Sequence, residues 1–474
     1  MRLDEYAGHD AIGLMALLRE RQVSADQLRR CAIEAIERLN PQLNFMAGAV
    51  GRDAGWQPGG PFSGLPFLLK EAHGWAGGAL AMGSRLSGTL KATQDSELTR
   101  RLKQAGVQIL GETTAPEFGS APVTESSRHG ATRNPWNLDR SPGGSSGGSS
   151  AAVAAGVVPV AQTSDGGGSI RGPAHCCGLY GLKPSRWRTP EPMRSLFNFA
   201  HFHVSTRTVR DSAAFLDVEQ GHYPGAPARL QAPERPYLDE VARAPGRLRI
   251  ALMRRSPGNV AASPACVEAV ERAARLVASL GHSVEEAEPK IDWAPLLQSF
   301  LAAWFHALPL RVGQMSALSA LAPGPDTLDA MNLKYLEHAR SITVDDLVMA
   351  DTRFHAARLA VDALFSRYDL WLTPAGVSQA PLIGQYDPRR NDEEALPFAM
   401  RILHEWVMFT PLLNITGHPA ASIPLHHADG LPAGVQLVGP MGDETCILRL
   451  SAQFEAADPW IQRRPPCSVF GETR

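Results

Sequence analysis

Residues 141–174 read SPGGSSGGSSAAVAAGVVPVAQTSDGGGSIRGPA: two glycine and serine clusters on either side of a short apolar segment. Residues 149–155 are small and helix-tolerant, Gly156 suits a left-handed helix end, and 157–160 have the character of a buried strand. The predicted order is loop, helix, turn, strand, loop. A helix of about seven residues rises roughly 1.5 Å per residue, and an extended return covers roughly 3.3 Å per residue, so Ser145 and Ser169 can meet. The alternative is a pair of flexible linkers. A linker, however, has no reason to enclose a buried helix and strand, nor to end in Asp165, Gly166, Gly167, Gly168, Ser169, Ile170, Arg171 and Pro173. Consecutive glycines let backbone N–H groups converge on one point, a concavity that can hold an oxyanion.

Gly143, Ser145 and Gly147 also satisfy the Gly-x-Ser-x-Gly pattern of a nucleophile elbow. That elbow must follow a buried strand, whereas residues 134–142 are polar turn formers, so this reading is rejected.

Upstream, GLPFLLK at 64–70 is an apolar run that ends in a lysine. One reading is a strand whose terminal ammonium reaches out to water. The other is a buried Lys70, desolvated by its apolar neighbours so that its pKa falls from about 10.4 toward about 7–8, where an amine can serve as a general base. Helical periodicity runs over 10–20, 24–39 and 96–106, with a strand at 107–111. Further helices are expected over 203–217 and 266–280, joined by a proline-rich surface connection at 221–236. Residues 292–401 carry Trp, His, Met and Leu at helical spacing, which suits a helical layer over a pocket, and 410–448 returns to strands before a last helix. This alternation indicates an α/β sheet protein. Glu117 and Glu125 stand without an obvious carboxylate partner and read as turn or surface acids, and Cys176 and Cys177 as packing residues.

The chain of 474 residues is 44% hydrophobic and 20% charged, enough to bury a large core. A net charge of −2 offers no electrostatic case for nucleic acid or an anionic membrane, so a small-molecule partner is expected. Six cysteines without a CxxC pair indicate neither a disulfide framework nor a zinc site, and a reducing cytoplasm fits them best. The first residues do not have the form of a signal peptide, and no apolar run reaches about 18 residues. Phosphate-loop, metallopeptidase and dinucleotide motifs are not found, so no cofactor and no metal are expected. Oligomeric state is open, a homodimer included.

With Lys70, Ser145 and Ser169 isolated, the chain resembles the amidase signature family of serine hydrolases. The resemblance rests on GLPFLLKE, GSRLSG (83–88), GETTAPEFG (111–119), TRNPWNLDRSPGGSSGGSSAAVAAG (132–156), SDGGGSIRGPA (164–174) and GLKPS (181–185). A C-terminal echo, LNITGHPAASIPL and GLPAGVQLVGP, extends it over most of the chain, leaving about 290–400 uncovered. It implies one amidase domain over 1–474: a central mixed twisted sheet covered by helices on both faces, with a variable substrate-pocket segment at about 290–400. It further implies Ser169 as the acyl-forming nucleophile, Ser145 as a bridging serine after a cis peptide, and Lys70 as the base. Gly166, Gly167, Gly168 and the Ser169 amide would form the oxyanion hole, braced by Asp165, Arg171 and Ser146. Glycine at 166 departs from the threonine or other side chain of many members, which would leave that loop freer. The wording SDGGGSIR and CCGLYGLKPSR is similar to a cyclic-dimer-hydrolase branch. The activity implied is hydrolysis of a carboxylic amide. Rival readings are the glutamine-hydrolysing subunit of a tRNA amidotransferase, an esterase or carbamate hydrolase, and a non-catalytic binding protein on the same scaffold.

Overall fold

A computed structural model of the chain describes residues 1–471 except 52–55, 57, 72–73 and 192–194. Its strands, in chain order, are β1 (Pro66–Lys70), β2 (Gln108–Thr113), β3 (Glu125–Ser126), β4 (Gly130–Ala131), β5 (Val160–Asp165), β6 (Tyr180–Lys183), β7 (His201–Thr206), β8 (Arg249–Leu252), β9 (Ser283–Glu286), β10 (Leu370–Pro374), β11 (Ala420–Ala428) and β12 (Leu431–Val438). Ten of them form one mixed sheet in the order β2-β1-β5-β7-β6-β11-β12-β10-β8-β9, and β3 pairs with β4 in a separate hairpin. Helices cover this sheet, as expected of an α/β protein.

The pairing of β1 with β5 positions the site. Both are buried along nearly their whole length, as parallel strands under helices must be. They run parallel with Leu68 opposite Ala161, so Lys70 at the end of β1 falls level with Thr163, next to Ser164 and Asp165 at the end of β5. β1 also pairs with β2 in parallel, and Lys70 lies opposite Thr113. Between the serine clusters the chain makes the buried helix Gly147–Ala154, turns at Gly156 with φ +79°, and returns as β5. The loop, helix, turn and strand expected from residues 141–174 are therefore present.

The strand is shifted from the expected 157–160. Val157 and Val158 pack in the turn, and β5 continues through Gln162, Thr163 and Ser164. Apolar patterning does not register these polar residues, because their hydrogen bonds are satisfied inside. The Gln162 Oε1 accepts from the Lys70 N–H at 3.2 Å, and Thr163 Oγ1 donates to the His203 carbonyl at 2.9 Å.

Four further expectations need correction. Residues 203–217 are not one helix: β7 occupies His201–Thr206, and the helix Val209–Glu219 begins only after Thr208, whose hydroxyl accepts from Asp211 N–H. The helical stretch 292–401 contains β10, and 410–448 opens with the helix Pro411–Thr416. Glu117 and Glu125 are not surface acids but are buried at 2% and 0% exposure. Glu117 is held by the Ser84 hydroxyl, the Asn332 amide and the Asp329 N–H, and Glu125 by the Gly384 N–H. Burial pushes both carboxyls up to about 7. Cys176 and Cys177 are buried free thiols. Among the described residues, no helix is long and apolar enough to cross a membrane.

Candidate active site

Lys70 is 2% exposed, so its amine does not reach water, and the snorkelling alternative is excluded. Its Nζ lies 2.7 Å from Ser145 Oγ, 3.0 Å from Ser146 Oγ and 3.0 Å from Ser164 Oγ. Three partners match the two protons and one lone pair of a neutral amine as well as the three protons of an ammonium. Ser146 narrows the assignment. Its hydroxyl donates to the Ser164 carbonyl at 3.0 Å, so toward Lys70 it can only accept. Burial pushes the Lys70 pKa down to about 7, against the nearby charges of Asp165 and Glu71, which raise it. The neutral amine is thereby accessible near neutral pH, with its lone pair free for the Ser145 proton.

Ser145 follows a cis Gly144–Ser145 peptide bond. Glycine is required at 144, where a Cβ would stand 2.6 Å from the Val123 nitrogen. Ser169 is 9% exposed and lines, with Lys70, Ser145, Ser164 and Gly166, a cavity of about 450 Å³. Phe118, Phe199, Phe202, Trp304 and Tyr335 provide much of its apolar wall. A smaller recess of about 80 Å³, bounded by Phe300, Trp304, Leu403 and Val407, also reaches Ser169.

The loop carrying Ser169 is organised by one carboxylate. Asp165 Oδ1 accepts from Gly168 N–H at 2.7 Å, and Oδ2 accepts from Ile170 N–H at 3.1 Å. Arg171 grips the same carboxylate with Nε and Nη2, both at 2.9 Å. Asn414 Nδ2 donates to Asp165 Oδ1 at 2.8 Å, while Arg171 donates on to Asn414 Oδ1 and Gln436 Oε1, each at 2.7 Å. Burial alone would raise the Asp165 carboxyl, but the Arg171 charge and these hydrogen bonds hold it well below the usual carboxylate range. Buried charges of this kind persist only when fully paired.

This geometry changes the part expected of Gly168. Its N–H is committed to Asp165, so it is not turned toward the cavity. The Gly166, Gly167 and Ser169 amides are the ones without an acceptor among the described residues. Nor is the loop freer for having glycine at 166. Thr410 Oγ1 donates to the Gly167 carbonyl at 2.7 Å, and a Cβ at 166 would meet the Trp304 ring at 3.3 Å. The space given up by a side chain at 166 is occupied by Trp304.

Gly168 has φ +129°, and a Cβ there would lie 2.3 Å from Thr410 Oγ1. Gly168→Ala is therefore expected to destabilise the fold by about 1–3 kcal/mol, by overpacking and by backbone strain, and to release the Thr410 clasp. Denaturant unfolding would measure this. A midpoint equal to that of the parent chain would show the loop to be plastic.

Ser146, Asp165 and Arg171, named from the resemblance, thus surround Lys70 and Ser169 as a bracing set. Sequence reasoning missed Ser164, Thr410, Asn414, Gln436 and Trp304. Asn414 and Gln436 lie within LNITGHPAASIPL and GLPAGVQLVGP, so the quoted stretches held the signal. Among the described residues, no group of three or more His, Cys, Asp or Glu side chains is placed to hold a metal ion.

Comparison with known proteins identifies the family and the fold. The amidase family profile matches residues 25–448. The chain is 34% identical to the 6-aminohexanoate-cyclic-dimer hydrolase of Pseudomonas sp. (strain NK87), covering 96% of each chain. It is 38% identical to the putative amidase AmiC of Mycobacterium leprae (strain TN), again over 96% of each. A solved structure of 6-aminohexanoate cyclic dimer hydrolase superposes with a TM-score of 0.91 at 32% identity, covering 97% of this chain and 99% of the other.

Proposed function

This chain belongs to the amidase family and is a hydrolase of carboxylic amides, and we propose that it works through an acyl-enzyme on Ser169. The observation that carries this reading is the buried Lys70 amine, 2.7 Å from Ser145 Oγ on a cavity shared with Ser169.

Neutral Lys70 accepts the Ser145 proton as Ser145 accepts that of Ser169, and the Ser169 oxygen bonds to the amide carbon. Negative charge develops on the carbonyl oxygen, where the Gly166, Gly167 and Ser169 amides can receive it. Each such donor is worth about 3–4 kcal/mol in a transition state. The proton on Lys70 returns through Ser145 to the amide nitrogen, the C–N bond breaks and the amine leaves. A water molecule then attacks the acyl carbon, gives its proton along the same path, and frees the acid and Ser169. No hydroxyl–hydroxyl hydrogen bond joins Ser145 and Ser169 among the described residues, as is common before substrate fills a site.

The cavity of about 450 Å³ and its aromatic wall suit a small, largely apolar amide, linear or cyclic, in keeping with the similar proteins named as cyclic-dimer hydrolases. The relatives of 34–38% identity are cyclic-dimer hydrolases and amidases, which does not favour the amidotransferase-subunit reading, and the intact site does not favour a binding protein. We further infer a reducing, cytoplasmic setting, supported by six free cysteines.

The pH–rate profile tests the proposed base. Below about pH 7, kcat/KM is expected to fall tenfold per unit as Lys70 protonates, and above it to level off. Glu71 carries one of the charges that raise the Lys70 pKa, so Glu71→Gln should move the midpoint to lower pH. A flat profile between pH 5 and 8 on an anilide substrate would exclude Lys70 as the base.

A further inference from the structure

The larger cavity holds one permanently charged cation that the mechanism leaves unused. Arg311 lies on the long helix Trp293–Ser319, on the face that also presents Ala307, Leu310 and Gln314 to the cavity. A guanidinium has five N–H donors. Here one of them reaches the Phe118 carbonyl at 3.5 Å, the outer limit of a hydrogen bond, and among the described residues Arg311 has no carboxylate partner. The other buried arginines are anchored. Arg171 meets Asp165, Arg188 meets Glu444, and Arg186 and Arg207 meet backbone carbonyls. Arg311 is partly buried, and burial alone is what acts on its charge.

Its surroundings rule out an internal counter-ion. Glu71 is the single carboxylate on this cavity, and it accepts from Ala115 N–H at 3.1 Å and contacts His129. Lys70 is occupied by three serine hydroxyls, His306 offers no negative charge, and burial raises the Tyr335 hydroxyl so that it stays neutral. The remaining wall is mostly aromatic and aliphatic. Phe118, which Arg311 touches, precedes Gly119, and a Cβ on Gly119 would lie 3.3 Å from Ser145 Oγ. The free guanidinium therefore borders the same chamber as the catalytic hydroxyls, within reach of the far end of a bound amide.

We propose that Arg311 is an anion anchor, and that the amides this enzyme processes best carry a carboxylate, held by the Arg311 fork, at the end remote from the scissile bond. A planar guanidinium matches a carboxylate in two-point geometry, and because the one acid on the wall, Glu71, is bonded to Ala115 and His129, that pairing is left to a ligand. Neutral amides still fit the aromatic chamber but leave the cation unpaired. The proposal rests on Ser169 chemistry at this site and adds to it a substrate class.

The test uses amides matched in length. Adipoyl p-nitroanilide places a carboxylate on the acyl side, N-hexanoyl-4-aminobenzoate places it on the amine side, and hexanoyl anilides are the neutral references. The parent enzyme is expected to favour at least one carboxylate-bearing amide by about tenfold or more in kcat/KM, mostly through KM. The favoured member identifies the side of the scissile bond that faces Arg311. Arg311→Gln should bring that ratio to within about twofold of one, and Arg311→Lys should restore part of it. No preference in the parent enzyme, or a preference that survives Arg311→Gln, overturns the anchor. Adipate itself gives a reading that needs no turnover. It should raise the thermal midpoint of the parent chain and of Ser169→Ala but not that of Arg311→Gln. If adipate does so while no amide is hydrolysed, the anchor stands and the hydrolytic reading falls. If adipate shifts all three alike, the anchor falls.

Discussion

Ser169→Ala is expected to abolish turnover, with kcat reduced by about 10⁴-fold or more. The side chain lost is a single oxygen at the edge of the cavity, so the fold should not change. The hydroxyl touches no hydrogen-bond partner among the described residues, and the loop is held instead by Asp165, Arg171, Asn414 and Thr410. Loss of activity with an unchanged unfolding midpoint would therefore report chemistry and not stability. A fluorophosphonate should label the parent chain at Ser169 and leave the alanine variant unlabelled. Ser145→Ala differs in kind: the nucleophile is still present, and a water molecule in place of the missing hydroxyl could pass protons to Lys70. That variant should keep weak turnover and remain slowly labelled at Ser169. An adduct mapped to Ser145 would reverse the two roles and remove the basis of the mechanism.

Lys70→Met carries the second large effect. Methionine fills a similar volume with no basic nitrogen, so the proton of Ser145 has no acceptor, and rate should fall by about 10²–10⁴-fold. Stability should move the other way. The folded-state pKa of about 7 is below the unfolded value of about 10.4, so between these values the unfolded chain binds more protons. Stability of the parent chain must then rise with pH across that window, and below about pH 7 the buried amine costs the fold about 4–5 kcal/mol. Removing the amine relieves that cost, offset by the lost bonds to Ser146 and Ser164. In denaturant unfolding, the advantage of Lys70→Met over the parent should shrink by about 2–3 kcal/mol between pH 7 and 9. A pH-independent difference would mean that Lys70 titrates at its ordinary value, and the base would have to be sought elsewhere.

The division of labour between sequence and tertiary structure is visible residue by residue. Local chemistry was enough to single out Lys70, because a lysine ending an apolar run is legible from its neighbours alone. It was also enough for the two serine clusters, where glycine, serine and proline constrain the backbone within a few residues. The strand Pro66–Lys70 and the helix Gly147–Ala154 were legible for the same reason. Polar residues satisfied from afar were not. Ser164, Gln162 and His203 lie on strands that no apolar pattern marks, because their partners are distant in sequence. The same holds for Glu117 and Glu125, which are buried by donors from 84, 332 and 384.

By itself, then, the sequence determined the α/β class, the groups proposed to react and the loop that presents Ser169, since each depends on contacts within a short span. Only the tertiary structure decided which amides remain free to meet an oxyanion, what takes the room left by glycine at 166, and that Arg311 faces the cavity without an acid. Trp304 reaches Gly166, and Arg311 reaches Phe118, across more than a hundred residues of chain, brought together by strand order and helix packing, and no local pattern encodes that proximity.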